Sequence, residues 1–394
     1  MTVHPAFPVS ATAAGDSAAL AVRIVDPLAL SDDLAAAWDG LADEASEPNP
    51  FVERWCLQPA LHLLDPAREA RLVMVMGGRD GPLIGVMPLA SAVRYGPLPL
   101  RHVTGWAHPN HFHGAPLVRA GMEHLFWSIL LGWCDAAGWA HTLIHVPRLT
   151  EDGPLHRALA DVSRDRGAAA EIVHREERAL LESDLSPEAY WDVAVRAKKR
   201  KELRRQASRL GDEGRVSFRR WTGEEPIEQW IGAFLDLEAR GWKGRAGSAL
   251  ASHGDTEAWF RAIVTAAAAA GKLDMRALVL NDRPLAMLVN FLAVPGAFSF
   301  KTAFDEDYAR FSPGVLLQQA NLDLLGDPRI AWVDSCAAPD HPMIDSVWRE
   351  RRHLVWVNAP LGGSGDRLRF RALAKAERLW RRWKRPASKV EDQP

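Results

Sequence analysis

AFSFKTAFDEDYARFSPGVLLQQANLDLL, residues 297–325, reads as strand, loop and helix start. Aromatic and small residues alternate up to Ala303, a polar loop follows, and Ser312-Pro313-Gly314 opens an apolar helix. The first turn of a helix has N–H groups without intrahelical acceptors, and the helix dipole places partial positive charge there, so the setting suits a phosphate. Gly314 permits close approach because it has no Cβ, Pro313 has no N–H to leave unpaired, and Arg310 can add a bidentate contact. No Gly-Lys-Ser/Thr follows, so this is not a Walker A loop, and the chain has no Gly-x-Gly-x-x-Gly.

Outward from this stretch, the order of elements occurs twice. Apolar runs at 72–76 and 83–92 flank turn chemistry at 78–82; runs at 273–280 and 285–294 flank Asn281-Asp282-Arg283-Pro284, with a third strand at 297–303. After each hairpin come a loop, an amphipathic helix (122–137; 315–325) and a buried strand (142–146; 330–334). A further helix (155–166; 344–350) and a last strand (169–173; 353–357) close each copy. This predicts an α/β (α+β) chain of two similar domains, each a mixed sheet with helices on its faces. The expected boundaries are a loose N-terminal arm at 1–20, domains at 21–183 and 184–360, and a basic helix and tail at 361–394.

Composition agrees with two globular cores: 394 residues, 47% hydrophobic and 25% charged. With 48 basic and 50 acidic side chains the net charge is -2, so any polyanion contact needs local clusters. Three scattered cysteines (Cys56, Cys134, Cys336) give neither a disulfide framework nor a paired metal site, which points to a reducing cytoplasm. The longest apolar run, 125–134, is about half of the ~20 residues a membrane span requires, and no signal peptide is read.

Two basic segments stand out. Ser186-Pro187-Glu188 starts a helix, Ser as N-cap and Pro first, expected to run on through Arg196, Lys198, Lys199, Arg200, Lys201, Arg204, Arg205 and Arg209. This face is either a solvated surface or a contact for an adenosine 3′-phosphate, an anionic glycan or tRNA. From Asp366 to Arg385 a second basic helix carries Trp380 and Trp383; it either packs on the second domain or touches the inner membrane surface peripherally.

The stretch Trp242-Lys243-Gly244-Arg245-Ala246-Gly247-Ser248-Ala249, with Phe300-Lys301-Thr302-Ala303-Phe304-Asp305-Glu306-Asp307-Tyr308-Ala309-Arg310-Phe311-Ser312-Pro313-Gly314-Val315-Leu316-Leu317, resembles the GNAT-type acetyltransferase domain of bacterial proteins linked to cellulose and exopolysaccharide synthesis. That family is related to FemAB-like transferases, which carry two GNAT-like domains in tandem. The resemblance covers roughly 184–358 and, more loosely, the first half. It implies an acyl-CoA-dependent N-acyltransferase, acetyl-CoA or another acyl-CoA serving as co-substrate without a metal. Arg310, Ser312, Pro313, Gly314 and Val315 would then take the donor pyrophosphate. The family loop is Arg/Gln-x-x-Gly-x-Gly/Ala; this chain departs in spacing and lacks the last small residue, so a carrier-protein phosphopantetheine or an aminoacyl-tRNA stays open as carrier. The first half has Ala107-His108-Pro109-Asn110-His111-Phe112-His113-Gly114 at the corresponding place, so donor binding is assigned to the second half and an acceptor wall to the first.

Acyl transfer to an amine needs the amine deprotonated, the carbonyl polarised and the leaving group stabilised. Alignment of the two substrates removes the need for a covalent intermediate. Backbone N–H groups at 299–302 would polarise the carbonyl. Asp305, Glu306, Asp334, Asp340 and His341 are the candidate bases, although Asp305 is equally able to cap the loop and Asp334 to pair with an arginine. Lys301 either meets a carboxylate such as Asp305 or faces the cleft, and Tyr308 is a proton donor for the thiolate. Cys336 reads first as a buried hydrophobe. His102, His108, His111 and His113 lack accompanying Cys or carboxylate ligands and read as an acceptor lining rather than a metal site. Trp242, Lys243, Arg245, His111, His113 and His341 are assigned to the acceptor, an amino sugar or other small amine of polysaccharide or envelope metabolism. The competing readings are a FemAB-like transfer from aminoacyl-tRNA to a cell-wall precursor and a non-catalytic descendant that binds a glycan or nucleotide.

Overall fold

The apolar runs at 72–76, 83–92, 273–280 and 285–294 and the alternating stretch at 297–303 become strands. The computed structural model describes residues 20–78, 81–137 and 142–384, with side chains to residue 378. Apart from Leu20, the expected arm lies outside the described residues, as do the tail from residue 385 and the side chains of Trp380 and Trp383. The first half runs β1 (Ala21–Val25), α1 (Asp32–Asp43), α2 (Arg54–Leu63), β2 (Arg71–Met76), β3 (Leu83–Ala92), β4 (His102–Gly105), β5 (Leu117–Val118), α3 (Glu123–Ala136), β6 (Leu143–Thr150), α4 (Pro154–Asp165) and β7 (Glu171–Leu181). The second half opens with α5 (Pro187–Ala194), α6 (Ala197–Asp212), β8 (Val216–Arg220), α7 (Ile227–Arg240), α8 (Trp242–Arg245) and α9 (Gly254–Ala269). It continues with β9 (Leu273–Leu280), β10 (Arg283–Ala293), β11 (Gly296–Phe304), α10 (Pro313–Asn321), β12 (Trp332–Asp334), β13 (Glu350–Pro360) and α11 (Ser364–Lys384).

Local chemistry explains the elements. Asn281 and Asp282 both have positive φ, at 48° and 68°, and Leu280 pairs with Arg283, so β9 and β10 join through a two-residue turn suited to the strand twist. In α4, Leu155, Ala158, Leu159 and Val162 repeat at helical spacing and are all buried. Ser186 caps α5 by accepting from Ala189 N–H, as expected. That helix does not run on into the basic stretch, however: Val195 and Arg196 are extended, and the basic residues form a separate helix, α6.

The described strands form one sheet in the order β1-β2-β3-β4-β6-β13-β7-β12-β11-β10-β9-β8, with β5 beside β3. The pairs β4·β6 and β11·β12, at matching places in the two halves, are parallel; the other pairs are antiparallel. Near the middle the halves exchange strands. Both neighbours of β7 are second-half strands, β12 and β13, and both neighbours of β13 are first-half strands, β6 and β7. The expected strand at 169–173 is thus the start of an eleven-residue strand. The expected helix at 344–350 is not formed: the chain turns there, buries Ile344, Val347 and Trp348, and enters β13 at Glu350. A short apolar stretch of that length is equally able to anchor a loop.

The core is continuous across this seam. Phe51, Cys56 and Ala60 of the first half pack with α7, α9 and the inner face of β9–β11. Phe51 meets both Phe298 and Phe300, with ring centroids 5.7 and 6.1 Å apart. α11 docks on the first half through Phe370, packed against Leu143 and Ala168. No helix among the described residues is long and apolar enough to cross a membrane.

Candidate active site

The site is built where β11 and β12 part. Their parallel pairing holds for Gly296, Ala297 and Phe298 opposite Trp332, Val333 and Asp334, and then ends. On its other side β11 stays paired to β10 up to Phe304, with a register shift that skips Phe300. A bulge of this kind bends a strand and turns consecutive side chains toward one face. From Ser299 to Phe304, β11 therefore has one strand neighbour among the described residues and one edge with no strand on it.

At the bulge, Lys301 points to the end of α7. Its Nζ lies 3.8 Å from Oε1 of Glu238, and the side chain is 12% exposed. Lys243 of α8 reaches the same oxygen at 2.9 Å, while Leu250 N–H donates to the other oxygen at 2.8 Å. Burial, with Lys243 adding to it, brings the Lys301 ammonium down to about 8 against the pull of Glu238. Burial alone would raise Glu238, but Lys301 and Lys243 outweigh it and hold the carboxylate charged. A small cavity of about 30 Å³ lies beside these groups, lined by Glu238, Trp242, Lys243, Thr302, Phe304 and Glu306 among others. Trp242 stands 57% exposed at its rim.

Sequence reasoning did not single out Glu238, yet the signal is there. It sits on the same stripe of α7 as Ile231, Phe234 and Leu235, at i, i+3, i+4 and i+7, and a carboxylate on an apolar stripe requires a partner. Gly241, which ends α7, is extended and closely approached by the Glu306 carboxylate and the Glu238 carbonyl.

Several expected roles are corrected by position. Glu306 accepts from Trp242 N–H at 2.5 Å and pairs with Arg245, whose hydrogen bond holds its carboxyl below the usual range; it organises the α8 loop instead of serving as base. Asp305 caps the following turn through Asp307 N–H and pairs with Arg283, not with Lys301. Asp334 is fully buried, bonded to Arg178 at 2.6 Å and Arg352 at 3.0 Å, and accepts from Cys336 N–H. Those two guanidiniums outweigh burial and keep it charged, so it is the counterion of the strand exchange rather than a base. Tyr308 packs near Phe311 with the Arg283 guanidinium over its ring. Asp340 is exposed and left-handed, and the adjoining His341 is half-buried. The Cys336 thiol is buried, which pushes its pKa well up, with Asp334 adding to the effect; it is no nucleophile here.

The helix start is also built differently. Ser312 adopts the left-handed conformation, and the N–H groups of Val315 and Leu316 both bond to its carbonyl. Pro313, Gly314 and Val315 are buried, and a Cβ on Gly314 would meet Met343 Sδ at 2.8 Å. Gly314 therefore makes room for Met343, and the first turn of α10 is covered by protein. Arg310 lies over the Phe311 ring and pairs with Glu213 of the α6 cap at 3.0 Å.

Three of the four histidines noted in the sequence are packed in the core. His108, His111 and His113 are buried, in ring contact with Trp259, Phe51 and Phe298 respectively. Burial brings His111 down to about 4 and the other two well below their usual value, so all three are neutral at neutral pH. Among the described residues no group of His, Cys, Asp or Glu is arranged to hold a metal ion.

The mixed sheet and parted parallel strands define an α/β chain of two GNAT-like units in tandem. Residues 197–341 match the family model of the acetyltransferase (GNAT) domain. Among solved structures the fold is similar to FemX, at 10% identity and TM-score 0.57, over 86% of this chain and 98% of that one. It is similar to a conserved protein of unknown function from Bacteroides thetaiotaomicron, at 11% identity and TM-score 0.53, over 86% and 100%. A third likeness is to the C-terminal domain of a putative lysylphosphatidylglycerol synthetase from Agrobacterium fabrum, at 12% identity and TM-score 0.50, over 88% and 95%. No curated protein matches the chain by sequence.

Proposed function

We propose that the chain is an N-acyltransferase that moves an acyl group from a carrier to the amine of a small acceptor by direct attack. The parting of β11 from β12 is the observation that carries this reading. A strand edge with no strand partner accepts an extended arm through main-chain hydrogen bonds, as in strand addition. On this reading the N–H groups at 299–302 polarise the carbonyl of the donor, and their fixed direction supplies the electrostatic part of catalysis. Lys301, with its lowered pKa, takes the proton from the attacking amine as the new C–N bond forms and the carrier–acyl bond breaks, and returns it to the departing carrier, a thiolate where the donor is an acyl-CoA; Glu238, itself held by Lys243, keeps Lys301 in place. Trp242 offers a flat apolar face to an amino sugar or a similar amine of polysaccharide or envelope metabolism.

The donor we assign first is acetyl-CoA or another acyl-CoA, in keeping with the GNAT-domain match. Its diphosphate does not fit the start of α10 as that turn stands, because Met343 covers Gly314. One observation favours a second carrier: α6 exposes Lys198, Lys201, Arg204, Arg205 and Arg209, a cationic face suited to the backbone of an aminoacyl-tRNA. Calorimetry with acetyl-CoA and longer acyl-CoAs, then thiol release with a panel of amines, tests the first carrier. No heat with any acyl-CoA, together with tRNA binding that weakens steeply with salt and is lost in Arg204→Glu/Arg205→Glu, transfers the assignment to the second. Binding of neither overturns the proposal.

A further inference from the structure

A cavity of about 580 Å³ opens between α1 and α2 of the first half and the C-terminal end of α9 in the second. Its apolar floor is made by Ala266, Ala269 and Ala270 beside the Trp55 ring. The charges on its walls are mostly matched internally. Arg54 binds both oxygens of Asp39, at 2.8 and 2.6 Å, and the Gln58 amide donates to the Pro27 carbonyl. Lys272 and Trp55 Nε1 both donate to Oε2 of Glu53. Two acceptors remain: Oε1 of Glu53, in a residue 3% exposed, and the carboxylate of Asp43, neither of which has a partner among the described residues. Burial raises the Glu53 pKa and Asp43 adds to it, while Lys272 and the Trp55 hydrogen bond oppose the shift.

We propose that this cavity binds a small alkylammonium ion, its head group between Glu53 and Asp43 and its aliphatic stem on Ala266, Ala269 and Ala270. A carboxylate or phosphate ligand would face the free oxygens, since Arg54 and Lys272 are already neutralised. A calcium ion takes six to eight oxygen ligands, more than an alanine floor with two free carboxylates supplies. The Trp55 ring adds a face for a cation. Ring contacts of 5.1 Å from Trp55 to Phe291 and 4.9 Å from Phe291 to Phe300 place an aromatic layer between this cavity and Lys301. The inference therefore stands independently of the acyl-transfer reading.

The test is calorimetry of the full chain with 1,5-diaminopentane and with n-butylammonium, butyrate serving as a control of the same stem and opposite charge. The expected result is saturable binding of both amines and none of butyrate. Affinity should fall about tenfold in Asp43→Asn, which removes one charge-assisted bond, and be lost in Ala269→Phe, which fills the floor. Both positions are exposed, and unchanged thermal midpoints will show that the variants fold. Absence of saturation with either amine, equal binding of butyrate, or binding untouched by both substitutions overturns the proposal.

Discussion

After β4 the chain turns inward, and after β11 it stays beside a polar cavity, although both strands end a short parallel pairing at the same place in their halves. In the first half the following segment fills the space itself. Gly114 N–H donates to the Arg148 carbonyl on β6 at 3.2 Å, Arg148 Nη1 donates to the His111 carbonyl at 2.9 Å, and His108, His111 and His113 are sealed among aromatic rings. In the second half the edge beyond Phe298 has no strand on it, and its side chains lead to Lys301, Glu238 and Lys243. One topology thus yields a packed seam in one copy and, in the other, a mostly buried ion-paired group beside a small cavity. The difference comes from which loop residues fit against the neighbouring backbone.

The largest expected effect concerns the seam that holds the two regions in one sheet. Asp334→Ala leaves Arg178 and Arg352 buried without their shared counterion, and the expected loss is about 3–5 kcal/mol in urea unfolding. An unchanged midpoint would mean that the exchanged strands do not depend on this triad.

The next prediction addresses the polar region. Lys301→Met should lower the rate constant of acyl transfer about 10²-fold with fold and donor affinity retained. On the proposed reading the neutral amine is the active form, so kcat/KM should rise as pH rises through about 8 and level off above it. Lys301→Arg, always protonated, should remove that rise. A pH profile that is flat in the native chain, or identical in Lys301→Arg, removes Lys301 from proton transfer.

Much of the second region was legible in the sequence because its determinants are local. The β9–β10 hairpin is written in two apolar runs and an Asn-Asp turn, and α5 in a Ser cap followed by Pro. The strand exchange leaves no such mark. Whether residues 350–360 pair with β6 or with their own half depends on contacts more than a hundred residues apart, and the local pattern of apolar residues is the same for either. The partners of charged residues were hidden for the same reason. Asp334 carries nothing in its neighbourhood to say that Arg178, from the other half, will reach it, and Lys301 nothing to say that Glu238 rather than Asp305 will be its partner.

The finest test sets two glycines against each other, one in each region. A Cβ at Gly114 would overlap the Pro147 backbone carbonyl, which cannot swing aside, so Gly114→Ala must displace the segment that closes the first half. The expected loss is about 1–3 kcal/mol, in the range of overpacking. A Cβ at Gly314 would meet the end of the Met343 side chain and the edge of Phe304. A methionine has several rotatable bonds and a soft sulfur, so Gly314→Ala should change stability by less than about 1 kcal/mol, helped by the lower chain entropy of alanine. Chemical denaturation of the two variants side by side measures the contrast. If Gly314→Ala proved the more damaging, the cover over the start of α10 would be as rigid as the first-half seal, and the two loops would differ in sequence without differing in freedom.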